Sequence, residues 1–225
     1  MKFHRINAET LREKVYHQLR RSIVSGQILP GESISLRALA ASFGVSSMPV
    51  REAIWQLESE RVVVVEPNRR IRVNQLSVQE MEELLEVRLR LESLAVEKSC
   101  ARRPDIAIQR IKTLLEELGE SIENPRKYLS KNHEFHFGIY AYAESPLVLT
   151  IIDGIWARVG PYIIHAATSG DLDRSMAFHW QMFEGFATRD ADLMVAGLRG
   201  DLQSAAEFII PHLELQLAKD GQASI

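Results

Sequence analysis

A single cysteine, Cys100, in a chain of 225 residues excludes an internal disulfide and fits a reducing, cytoplasmic setting. No apolar run approaches the roughly 20 residues that a bilayer span needs, so no membrane association is expected. The first ten residues carry Lys2, His4, Arg5 and Glu9, which leaves no secretory apolar segment there. Twelve glycines and eight prolines are too few for a collagenous or low-complexity chain. The remainder is ordinary: 46% apolar and 25% charged residues, against extended disorder. The length suits one large domain or two modest ones.

The net charge of -3 hides a division. Residues 1–74 hold two Lys and ten Arg against seven Glu, a local charge of +5. Residues 75–225 hold 15 basic and 23 acidic residues, a local charge of -8. A basic head on an acidic body points to a nucleic-acid reader joined to a second function, although charge asymmetry often only solvates a surface.

Local patterns sharpen that reading. Val15, Leu19 and Ile23 recur every four residues, which predicts a helix over Leu11 to Val24 with Gly26 as its stop. Ser35 can cap a second short helix that buries Leu36, Leu39, Ala40 and Phe43 and ends at Gly44. Ser46 or Ser47 can cap a third, where Pro49 is tolerated in the first turn and Val50, Ala53, Ile54 and Leu57 form the buried face. The β-branched run from Arg61 to Glu66, a turn at Pro67–Arg70, and Ile71-Arg72-Val73 then read as a hairpin. Three helices and a hairpin make a winged helix-turn-helix. Its third helix would put Ser46, Ser47, Met48 and Arg51 at base edges in the major groove. Arg37 suits phosphate contact, and Asn68, Arg69, Arg70 and Arg72 would form a wing over the backbone or minor groove.

These residues resemble a known family. Ser25-Gly26, Leu29-Pro30-Gly31-Glu32, Leu39-Ala40, Phe43-Gly44-Val45-Ser46 and Pro49-Val50-Arg51-Glu52-Ala53 match the N-terminal signature of GntR-type bacterial regulators. Three positions depart from it. Ser47 stands where the family usually has a guanine-reading Arg, so the usual operator does not carry over. Arg70 replaces the wing glycine after Asn-Arg, and Arg61 replaces a frequent glycine at the helix end.

Asn74 marks a boundary between a head at 1–74 and a second domain at 75–225. Ser77-Val78-Gln79-Glu80 is a capping box. From there six helices are expected, opening near Ser77, Pro104, Asn124, Ser145, Asp171 and Asp190, the fourth interrupted at Gly160-Pro161 and the last bent at Pro211. The fold class is therefore mainly α, with an all-α antiparallel bundle behind the head. That body resembles the FCD ligand-binding domain of the FadR-like GntR branch, through Arg88-Leu89-Arg90-Leu91-Glu92, Phe135-His136, His179 and the Arg189-to-Leu202 segment.

The resemblance implies a metal site built in the family from one Asp and three His. Here the matching positions are Asn132, His136, His179 and Asp201, so two ligands are retained and one carboxylate has moved. Such a set can hold a divalent cation such as Zn, Ni or Mn. The same side chains can instead form a metal-free polar pocket for an effector, or a satisfied buried cluster with no ligand. His133 and His165 are lesser candidates. Arg88 lies on the apolar stripe and needs an anion: either an effector carboxylate or Glu92, four residues on. Trp156, Tyr162, Phe178, Trp180 and Phe183 are expected in the core or pocket wall, and Cys100 in the core.

The expectation is a DNA-binding transcription regulator and repressor. It would act as a homodimer on a palindromic operator and respond to a small organic acid. No catalytic residues are assigned, because no separate base or nucleophile motif appears. The competing classes are a metal-dependent enzyme on the bundle and a constitutive regulator with a vestigial pocket.

Overall fold

A computed structural model describes residues 10–67 and 70–222, with backbone alone for 219–222. The chain divides into two compact units, Met1–Gln75 and Leu76–Ile225.

The first unit begins with helix α1 (Leu11–Val24), closed at its start by a reciprocal Thr10–Glu13 capping box. A two-residue strand β1 (Ser33–Ile34) leads to α2 (Leu36–Phe43), capped by Ser35 and ended by Gly44 at a φ of 64°. Helix α3 (Ser47–Ser59) follows, then strands β2 (Val63–Val65) and β3 (Ile71–Val73). The sheet order is β1-β3-β2, antiparallel throughout. Strand β1 was not foreseen, since two residues carry too little pattern to stand out. The α1 and α3 core is the expected one: Leu19, Ile23, Val50, Ala53 and Leu57 are wholly inaccessible to solvent, whereas on α2 only Ala40 is buried and the expected Leu36, Leu39 and Phe43 are half-buried. Each such Leu or Ile contributes about 2 kcal/mol of burial. Tyr16 donates to Glu60 at 2.8 Å, which ties α1 to the end of α3.

The second unit is all helix: α4 (Val78–Arg102), α5 (Ala107–Gly119), α6 (Pro125–Tyr140), α7 (Pro146–Ser169), α8 (Leu172–Thr188) and α9 (Ala191–Gln222), with a 3-10 turn at Ala141–Ala143. The Ser77–Glu80 capping box starts α4. At its far end Arg103 donates to the carbonyls of Phe186 and Ala187, and Arg189 to those of Cys100, Ala101 and Arg103. Guanidinium groups thus close the carbonyl ends of α4 and α8 against one another. Cys100 is buried.

Several expectations need correction. Helix α7 is not interrupted: Pro161 lies inside it. Gly160 precedes the proline and has no Cβ to clash with the ring, so the helical backbone is tolerated there. Helix α7 is also long and apolar enough to cross a membrane by length and composition, contrary to the reading of apolar runs. Trp156, Ala157, Val159, Tyr162 and Ile163 bury it in the bundle, as a core helix. Helix α5 starts three residues after Pro104, behind a turn. On α4, Leu94 is 38% exposed, while Glu92 and Ser93 are buried. Trp180 is 44% exposed, because it follows the inward-facing His179 and so points away from the bundle.

Candidate functional site

In the head, α3 turns Val50, Ala53, Ile54 and Leu57 inward and leaves Ser47, Met48 and Arg51 exposed on its outer face. Ser46 is the N-cap residue, with no side-chain cap bond, and is exposed. Trp55 shares that face with Met48, and both are 54% exposed. Sequence reasoning missed Trp55, although its place between the buried positions Ile54 and Leu57 already sets it outside the stripe. Arg37 is exposed near the start of α2, as expected. Arg72 departs from expectation: it is half-buried on β3 and pairs with Glu66 at 3.0 Å, so it braces the hairpin. Arg70 is exposed at the wing. Asn68 and Arg69 lie outside the described residues. Arg61 takes the conformation its usual glycine favours, with a φ of 58°.

In the helical unit, α6, α8 and α9 bring His136, His179 and Asp201 together. His136 Nε2 lies 3.2 Å from His179 Nε2. It is 3.3 Å from Asp201 Oδ2, and His179 Nε2 is 3.3 Å from Asp201 Oδ1. Donors around a tetrahedral zinc with bonds of about 2.0–2.1 Å stand about 3.3 Å apart. The spacing therefore fits a cation. Asn132 sits one turn before His136; it is buried, and its Oδ1 accepts no hydrogen bond. His179 Nδ1 is likewise unpartnered. Such orphaned buried atoms are uncommon without a further partner.

The electrostatics agree. Burial raises the Asp201 carboxyl, but the adjacent His179 outweighs it and holds the group well below the usual carboxylate range. Burial pushes His136 below 6.5 despite the opposing Asp201 carboxylate. A carboxylate beside the neutral His136 imidazole is a cation-ready set. Ser175 donates to Asp201 Oδ1 at 2.8 Å, which leaves its own oxygen to accept from Tyr128 at 3.1 Å.

A small cleft reaches this cluster at Asp201, lined among others by Arg88, Tyr128, Asn132, Arg174 and Ser175. Arg88 is buried, with Nε 2.6 Å from Glu92 Oε1 and its guanidinium 4.8 Å from the Trp156 ring. Of the two partners weighed for it, Glu92 is present, and Arg88 is also among the residues that line the cleft. Burial would lower its pKa, but the Glu92 carboxylate outweighs that and holds it raised. Sequence reasoning missed Tyr128, Tyr140 and Ser175. The two tyrosines were legible as α6 neighbours of Asn132 and His136 at four-residue spacing. Phe178 and Phe183 are half-buried, and Trp156 and Tyr162 are buried. His133 stacks on Phe137, and His165 on His212, away from the cluster.

Comparison with known proteins finds a match for each of the two units. The family of bacterial regulatory proteins, gntR family, matches residues 11–73, and the FCD domain matches residues 83–204. The HTH-type transcriptional regulator McbR of Escherichia coli (strain K12) is 24% identical over 184 residues, covering 80% of this chain and 83% of McbR. The gluconate operon transcriptional repressor of Bacillus licheniformis is 26% identical over 205 residues, covering 86% of this chain and 84% of that one. The solved structure of E. coli McbR/YncC matches with a TM-score of 0.83 at 22% identity, over 92% of this chain and 99% of that one, a likeness of fold.

Proposed function

Because the chain belongs to the gntR family of bacterial regulatory proteins and carries an FCD domain, we propose that it is a repressor released from, or retained on, its operator by a small carboxylic acid. The chain is a DNA-binding transcriptional regulator with an effector domain, not an enzyme. The proposal concerns its ligand, its metal, its assembly and its sign of control. One observation carries it: the buried Arg88 lines one cleft with Asp201, the carboxylate of the His/His/Asp cluster. An organic acid matches that lining, with the Arg88 guanidinium for one carboxylate oxygen and the Tyr128 hydroxyl for another polar group.

His136, His179 and Asp201 would hold a divalent cation such as Zn, Ni or Mn, with the Asn132 carboxamide oxygen as fourth donor. When bound, that ion supplies a positive point charge for an effector carboxylate. The protein's own residues do the rest. Arg88 orients the acid, Ser175 and Tyr128 fix the Asp201 carboxylate, and burial excludes competing water. Two copies would set two α3 helices on the half-sites of a palindrome in the cytoplasm. The effector shifts DNA affinity by no more than its preference for one arrangement of the dimer.

A mobility-shift assay on the protein's own promoter region, run against a panel of organic acids with and without chelator, tests this. The expected result is a specific shift that one acid class alters. Arg51→Ala should abolish the specific shift. No specific shift at low salt would sink the DNA reading. A shift that no acid or chelator changes would favour a constitutive regulator with a vestigial pocket.

A further inference from the structure

The His136 ring is held at both ends. Its Nε2 faces His179 and Asp201, and its Nδ1 lies 3.0 Å from the Tyr140 hydroxyl. That hydroxyl lies 2.5 Å from Glu92 Oε2. The other oxygen of Glu92 accepts from Arg88 Nε at 2.6 Å. All four side chains are buried, so water offers no alternative partner.

The direction of each proton follows from what these groups can do. A carboxylate only accepts, so the single proton of Tyr140 points to Glu92. The tyrosine oxygen can then meet His136 only as an acceptor. The proton between them therefore sits on Nδ1. A neutral imidazole carries one N–H, so Nε2 is left as a bare lone pair aimed at the cluster.

We infer that Tyr140 and Glu92 are positioning residues for the His136–His179–Asp201 centre: they select the His136 tautomer whose Nε2 can bind a cation, and they anchor that choice on Arg88. The inference rests on the reading that this centre holds a divalent ion. Second partners of this kind orient ligating histidines and raise their basicity, and their loss typically costs 10–100-fold in metal affinity. The anchor is unusual in its far end. Arg88 lines the same cleft as Asp201, so one hydrogen-bonded chain runs from the cleft's cation to the metal-facing nitrogen. An acid that draws Arg88 toward the cleft loosens Glu92, and through Tyr140 the ring.

The test uses the full chain labelled with ¹⁵N-histidine. Long-range ¹H–¹⁵N spectra of the metal-free protein above pH 7 report which ring nitrogen of each histidine carries hydrogen. The expected pattern for His136 is a protonated Nδ1 and a bare Nε2. A protonated Nε2 would overturn the inference, and this measurement needs no variant. Tyr140→Phe should abolish the preference. Glu92→Gln should reverse it: Arg88 claims the amide oxygen, the amide N–H donates to Tyr140, and the hydroxyl turns to Nδ1. A purely structural role would lower the melting temperature in both variants and leave the tautomer alone.

Zn²⁺ and Mn²⁺ affinities, measured by competition with a chromophoric chelator, form the second arm. Tyr140→Phe should bind 10–100-fold more weakly than the wild type. Equal affinity would overturn the inference. If the wild type binds neither ion, the metal reading fails, and the metal-free spectrum still decides the tautomer.

Discussion

At the residue scale, the retained and the substituted candidate ligand positions have unequal consequences. His136 and His179 were legible from family spacing, and Asp201 from its place twenty-two residues after His179. Tyr140 was legible only as a neighbour on the His136 face of α6, and Glu92 only as a partner of Arg88; the link between the two was not. Only their meeting across α4 and α6 gives them a role. Asn132 is the position where charge can be restored. Asn132→Asp should raise Zn²⁺ affinity at least tenfold in the chelator assay, while lowering the melting temperature of the metal-free protein through repulsion from Asp201. Unchanged affinity would remove Asn132 from the ligand set. Arg61 offers a second test at this scale. A side chain at a φ of 58° is strained by about 1–2 kcal/mol. Arg61→Gly should therefore stabilise the first unit by about 1 kcal/mol in urea unfolding. A loss of stability would show that the Arg61 side chain does more than tolerate the turn.

At the element scale, the centre depends on how closely α8 and α9 approach. Gly197, one turn before Asp201, would place a Cβ 2.9 Å from Met182 N and Phe178 O of α8. No side chain fits there without separating the helices. Gly197→Ala should cost about 1–3 kcal/mol, read as a melting temperature several degrees lower, and should weaken Zn²⁺ binding as His179 and Asp201 part. A stable variant with full affinity would mean the helices can shift without moving the ligands. The α7–α9 contact carries a pH signal. His165 stacks on His212 at 3.5 Å, and burial, then the neighbouring ring, lower it from 6.5 to about 4. A depressed histidine favours the fold above about pH 6.5, and that contribution is lost as pH falls toward 4. Melting temperatures from pH 7.5 to 4.5 should fall less steeply for His165→Asn than for the wild type. Parallel curves would assign the acid sensitivity elsewhere. Helix order was legible because caps and breakers are local chemistry. The continuity of α7 was not, because a buried proline is tolerated through its neighbours.

At the scale of the whole molecule, the division of charge separates two tasks. The basic residues that face outward in the head, among them Arg37, Arg51 and Arg70, release counterions when they meet phosphate. Arg70→Ala should lower operator affinity on all sequences and reduce the salt slope by about one. A loss confined to one operator would mean that Arg70 reads a base. The acidic body repels the same phosphates and leaves that contact to the head. One feature of the body also makes the protein its own instrument. The Arg88 guanidinium rests on the indole of Trp156, one of three tryptophans, while Trp55 and Trp180 face solvent. Any acid that moves Arg88 changes the dielectric surroundings of a buried fluorophore. Any operator that covers the outer face of α3 shields an exposed one. Ultraviolet emission can therefore follow the two binding events at separate wavelengths, on the unlabelled chain, in one cuvette.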